Sequence, residues 1–156
     1  MITSCGQRWQ TSSPGSVAKK EQKMILTEID HVAIAVRDLE AAIKYYQDAF
    51  GATVDHREVV ESDGVEEALL KVAESYVQLL TPTNPDSPVA KAIEKRGEGL
   101  HHIGYRVNNC AEALASMIAA GATPIDKAPR PGSRGTTVAF IHPKGSFGTL
   151  IELVQE

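Results

Sequence analysis

The sequence has little cysteine: two residues, Cys5 and Cys110, in a chain of 156. They form no Cys-x-x-Cys pair, so neither a disulfide framework nor a closed thiolate zinc site organises this chain. Such usage suits a reducing compartment, with the cytoplasm as the default. No apolar run approaches the ~20 residues of a membrane-spanning helix. No long basic run is present, and the formal net charge is −4. That excludes a general nucleic-acid binder, which needs a cationic surface for phosphates. The length is enough for one compact domain with a real core.

Periodicity is missing from residues 1–23, "MITSCGQRWQTSSPGSVAKKEQK". The stretch is rich in Ser, Gln and Lys, and reads as a disordered tail or non-native extension. A targeting segment, which would place the protein in the mitochondrial matrix, is the other reading, although no amphipathic Arg-rich helix is evident. Patterned sequence begins at Met24, and residues 24–156 are expected to form a single domain.

What is there repeats itself. "DHVAIAVRDLEAAIKYYQDAFGAT" (30–53) lies over "HHIGYRVNNCAEALASMIAAGAT" (101–123). His31 falls on His102, Val32 on Ile103, Ala33 on Gly104, Ile34 on Tyr105, and Val36 on Val107. After one gap, Gly51-Ala52-Thr53 falls on Gly121-Ala122-Thr123. Each copy is a strand, a connection, a helix and a glycine stop. Leu39, Ala42, Ile43, Tyr46 and Phe50 space one buried helix face, and Leu114, Met117 and Ile118 the other. Gly51 suits the left-handed residue that follows a helix, and Asn108 or Asn109 can cap the second one. Further strands are expected at "VDHREVV", "EEALLKV" and "YVQLLTP", then at "PIDKAPR", "TTVAFIHP" and "TLIELVQ". Between the copies, "SPVAKAIEKRG" is a short helix capped by Ser87, opened by Pro88 and stopped by Gly97. The expected fold is α+β: two tandem βαβββ modules, about 25–82 and 99–156, joined by a helix at about 87–97. They pack as one curved mixed sheet around a cleft.

Equivalent places in the two copies carry equivalent polar residues. The first strands hold His31 and His102. The last strands hold Gln78 and Glu152 among aliphatics. Small residues share the histidine faces, Ala33 and Ala35 beside His31, and Gly104 beside His102. Gln78 and Glu152 are costly to bury without partners. Two imidazoles, an amide oxygen and a carboxylate converging on one cleft suit a divalent metal. Strand alternation turns His101 to the opposite face from His102. It also puts Glu67 with Leu69 and Lys71, opposite Glu66, Ala68 and Leu70.

The segments "DHVAIAV", "YVQLL", "LHHIGYRV" and "TLIELVQ" resemble the vicinal oxygen chelate (glyoxalase/bleomycin resistance/dioxygenase) superfamily. "FIHPKGSFGTLIEL", "VAKAIEKRGEGLHH" and "YYQDAFGA" are similar to its methylmalonyl-CoA epimerase family, and the likeness spans 25–156. The resemblance implies a glyoxalase-like fold, a homodimer, a part in propionate metabolism and the substrate methylmalonyl-CoA. It implies a divalent metal on His31, Gln78, His102 and Glu152, with Co2+ foremost and Mn2+, Ni2+, Zn2+ or Mg2+ as substitutes. It implies Glu67 and Glu152 as catalytic acid/bases that move the α-proton through a metal-chelated enolate. Related readings are a glyoxalase-type isomerase acting on a thiohemiacetal, a ring-cleaving dioxygenase, and a non-enzymatic binding protein of the same fold. Gln78 as a fourth ligand argues against the dioxygenase, and the complete ligand set argues against the binding protein.

Overall fold

The computed structural model describes residues 23–156, so the readings made for residues 1–22 lie outside the described residues. The first copy folds as β1 (Leu26–Ala35), α1 (Leu39–Phe50), β2 (Val54–Val60), β3 (Val65–Val72) and β4 (Ser75–Pro82). A linking helix, α2 (Pro88–Arg96), follows. The second copy is β5 (Gly99–Val107), α3 (Cys110–Ala119), β6 (Arg130–Pro131), β7 (Thr137–Ile141) and β8 (Ile151–Gln155). The strands form one curled, mixed eight-stranded sheet in the order β2-β3-β4-β1-β5-β8-β7-β6. That order is one unit written twice, outward from an antiparallel β1–β5 pair at the centre. In each unit the first and last strands pair in parallel, β1 with β4 and β5 with β8.

Local chemistry explains the helices. Asp38 accepts the Ala41 N–H at 3.0 Å, and Gly51 ends α1 at φ 65°. Leu39 and Ile43 then bury against Ala68, Leu70 and Leu79 on one face of the sheet. Phe50, expected on this stripe, is instead 67% exposed, because it is the last helical residue before the turn. Asn109 accepts the Glu112 N–H at 3.0 Å and caps α3. Leu114 packs with Val107, Ala139, Ile141 and Leu153, whereas Ile118, also expected on the buried stripe, is exposed. On the opposite face, α2 lays Val89 and Ile93 on Ala33, Ala35, Val65 and Leu80. Two helices thus back the sheet, and the third closes part of its inner face.

The strand expected at "PIDKAPR" is reduced to Arg130–Pro131 and a single bridge from Pro124 to Ile141. Proline has no N–H to donate to a ladder. The Asp126 carboxylate takes over instead, accepting the Phe140 N–H at 2.8 Å.

Register breaks three times at the central pair, once between Leu26 and Glu28 and twice beside the histidines. On β1, Ile29 and His31 pair with consecutive residues Tyr105 and Gly104, leaving Asp30 extra. On β5, His102 and Leu100 pair with consecutive residues Ala33 and Ile34, leaving His101 extra. Each is a β-bulge at an equivalent place in its copy, and a bulge re-aims the side chains around it.

Candidate active site

The inner face of the sheet forms a cleft open to solvent, and His31, Glu67, Gln78, His102 and Glu152 all line it. The β1 and β5 strands bring the two histidines side by side, and β8 adds Glu152 opposite Gly104. Gly104 has a direct role in this arrangement. A Cβ there would lie 2.3–2.7 Å from atoms of the His31 ring, so only glycine leaves room for the imidazole.

Three donor atoms converge. His31 Nε2 and His102 Nε2 are 3.0 Å apart, and Glu152 Oε2 is 2.9 Å from the first and 3.0 Å from the second. Two ligands with bonds of about 2.1 Å, set at right angles around one ion, are about 3.0 Å apart. The three atoms therefore fit one face of a metal's coordination shell. Gln78 stands in register with Ala33 on the neighbouring β4. Its Nε2 donates to Glu67 Oε2 at 2.6 Å, while its Oε1 is buried without a hydrogen-bond partner. A buried carbonyl oxygen of this kind calls for a donor or a cation. Two imidazoles, a carboxylate and an amide oxygen suit a borderline or hard divalent ion.

Behind the histidines the two copies differ. The extra residue Asp30 is buried and accepts from His31 Nδ1 at 2.7 Å, which leaves the Nε2 lone pair free for a metal. Arg106 and Arg134 reach the same carboxylate at 2.9 and 2.7 Å. Burial opposes the Asp30 charge. The His31 and Arg106 hydrogen bonds and the Arg134 charge outweigh it and hold the pKa below the ordinary range. Burial likewise opposes protonation of His31, but hydrogen bonds to Asp30 and Glu152 win and raise its pKa to about 9. Glu152 is buried too, yet its hydrogen bonds with His102 and His31 hold it well below the usual carboxylate range. In the second copy the extra residue is His101, whose Nδ1 lies 2.8 Å from His102 Nδ1. Burial, with the charges of His102 and Arg96, pushes His101 down to about 4, and burial lowers His102 as well. Two neutral rings then share one proton between their Nδ1 atoms, and His102 presents its Nε2 when it is the donor.

The expected opposite facing of His101 is therefore corrected. His101 lines the same cleft as His102, because the bulge removes the strict two-residue alternation. Glu67 faces the cleft, as the alternation implied, while Glu66 turns outward to Arg57. Glu67 is buried and its Oε1 has no hydrogen-bond partner. Burial raises its pKa, only partly offset by Ser133 beside it. Ser133 arrives on a one-turn helix, Ser133–Gly135, whose Arg134 stands at φ 56°. Asp30, Ser133 and Arg134 went unread in the sequence. Their signals were the charged residue before His31 and a Gly-Ser-Arg-Gly turn, both weak without the fold.

The family model described as Glyoxalase/Bleomycin resistance protein/Dioxygenase superfamily matches residues 30–140, and the chain belongs to that superfamily. Its relatives within the superfamily include methylmalonyl-CoA epimerases. The ethylmalonyl-CoA/methylmalonyl-CoA epimerase of Cereibacter sphaeroides is 36% identical over 84% of this chain and 99% of its own. A Streptomyces coelicolor methylmalonyl-CoA epimerase, solved with 2-nitronate-propionyl-CoA, is 41% identical, with a TM-score of 0.81 over 84% of this chain and 98% of that one. The Mycobacterium tuberculosis methylmalonyl-CoA epimerase is 34% identical, with a TM-score of 0.82 over 88% of this chain and 93% of that one.

Proposed function

We propose that this chain is a metal-dependent epimerase that interconverts (R)- and (S)-methylmalonyl-CoA. The observation that carries the reading is one cleft holding both a buried carboxylate, Glu67, and a converging His31–His102–Glu152 set beside the unpartnered oxygen of Gln78. His31, Gln78, His102 and Glu152 would hold the divalent ion, with Co2+ the first candidate. Such an ion, when bound, lowers the cost of negative charge on a thioester oxygen and so acidifies the adjacent carbon.

The chain's own groups supply the proton transfers. Burial makes ionised Glu67 a stronger base than a solvated carboxylate. It takes the α-proton from one face of the carbon. Inversion requires delivery from the opposite face, and Glu152 is our candidate donor there. Its two imidazole partners make it the weaker acid/base of the pair. Asp30 keeps the His31 ring oriented, and Gln78 ties the ligand set to Glu67 through its amide N–H. We assign residues 24–156 to one functional unit that works as a homodimer in the cytoplasm.

Glu67→Gln tests the role of the base. The variant is expected to keep its bound metal, by elemental analysis, and to lose about 10²- to 10⁴-fold in turnover. Turnover at the parent rate would remove Glu67 from the mechanism.

A further inference from the structure

The proposed substrate reaches well beyond its reacting carbon. Past the sulfur, a coenzyme A thioester runs through two methylenes to a secondary amide. In an extended arm the amide carbon lies about 6 Å from the thioester carbon. A succession of contacts leads outward along the wall built by the second copy. The Phe140 ring meets the His102 ring edge-on, with centroids 5.3 Å apart. The Arg130 guanidinium lies 5.4 Å from the centre of the same Phe140 ring. His102, Phe140 and Arg130 all line the cleft. Arg130 therefore stands one aromatic ring beyond His102.

Both copies hold this arginine. Its guanidinium pairs at 3.0 Å with Asp63, from the turn between β2 and β3, and its Nε–H donates to Asp126 at 3.2 Å. Asp126 is itself fixed by the Phe140 N–H. Because β2 and β6 are the two edges of the sheet, the Asp63 pair draws the ends of the curl together beside the cleft. An arginine carries five N–H donors, more than these carboxylates engage. Its side chain is 30% exposed, so the remaining donors are within reach of a ligand.

Charge decides what that ligand is. A phosphate at Arg130 would meet the carboxylates of Asp63 and Asp126 as well as the guanidinium. A neutral carbonyl oxygen meets no such repulsion, and a charged donor makes it a stronger hydrogen bond than a neutral donor would. Ile125, half exposed on the same wall, offers apolar surface to the methylenes of the arm.

We infer that Arg130 binds the amide carbonyl nearest the thioester and makes the enzyme selective for thioesters that carry this amide. The inference rests on the proposed epimerase reading. Arg130 donates an N–H to the amide oxygen. Asp63 and Asp126 act through Arg130 and are positioning residues that aim its guanidinium.

The test follows α-proton exchange by the Co2+-loaded protein on two short thioesters of methylmalonate. One is the N-acetylcysteamine thioester, which ends just past the amide. The other is the pentyl thioester, of the same length without it. The parent should prefer the first by about 10- to 100-fold in kcat/KM, through KM. Arg130→Met, shown to be folded by a thermal melt, should bring that ratio to within about threefold of one. Its kcat on methylmalonyl-CoA should stay within about threefold of the parent value, since the contact is remote from the C–H bond. Asp63→Asn should raise KM for the amide thioester alone, and Asp63→Glu should restore it. A parent ratio near one, which needs no variant to measure, overturns the inference. So does an Arg130→Met protein that keeps the parent ratio or slows both thioesters equally, and in each case the epimerase reading stands. If the parent exchanges no α-proton of methylmalonyl-CoA, the functional reading fails and the inference with it.

Discussion

Asp30 is where the two copies stop being equivalent. A carboxylate stands behind His31, while an imidazole, His101, stands behind His102. Hydrogen bonds to Asp30 and Glu152 overcome burial and raise His31 to about 9, while burial lowers His102. Replacing Asp30 by Asn should weaken Co2+ binding about 10- to 100-fold by titration calorimetry, since the partner behind a ligating histidine sets its orientation and basicity. Unchanged affinity would show that Asp30 serves the arginines and not the histidine. The His31 shift also fixes the pH dependence. In the metal-free protein the folded value, about 9, lies above the ordinary 6.5. Its contribution to stability is therefore complete below about pH 6.5 and is lost as pH rises through about 9. A metal must displace that proton, so apparent affinity should climb with pH over the same window, with proton release on binding. Affinity that is flat from pH 6.5 to 9 would contradict this account. Gly104→Ala tests the close approach: a methyl against the His31 ring should cost about 1–3 kcal/mol in unfolding and reduce bound metal.

Among the elements, α2 and the two bulges matter most to the site. The α2 helix is signalled in the sequence by Ser87, Pro88 and Gly97, and Ser87 does accept the Ala90 N–H at 3.0 Å. Ser87→Ala should lower stability by ~1 kcal/mol, read from denaturant midpoints. Ile93→Ala should cost about 2–5 kcal/mol by opening a void against Ala33 and Leu80. The bulges mark the limit of what the pattern could reveal. Alternation correctly separates Glu67 from Glu66, because β3 pairs with β4 in unbroken register from Val65 to Val72. It fails for His101, because an extra residue in β5 is a property of the pairing with β1 and leaves no trace in hydrophobic period. "PIDKAPR" is a different failure. It stands where the repeat calls for a strand, but Pro124 and Pro129 cannot donate to a ladder.

At the scale of the whole molecule, the site is shared between two copies of one pattern. His31 and Gln78 come from the first, and His102 and Glu152 from the second. This is why an internal repeat was enough to collect the four, although they are spread over most of the chain. The cross-connections were not legible. Arg134 reaches back from the second copy to Asp30 and Glu58, and such long-range ion pairs carry no local sequence pattern. The central claim is that this shared cleft moves the α-proton of methylmalonyl-CoA with the help of a divalent ion. The direct measurement is label uptake at the α-carbon in deuterated water, followed by NMR with the Co2+-loaded protein, after chelation and after Co2+ is added back. The account predicts rapid incorporation with both epimers formed, loss on chelation and recovery with Co2+. No incorporation by the loaded protein, or an equal rate after chelation, would contradict it.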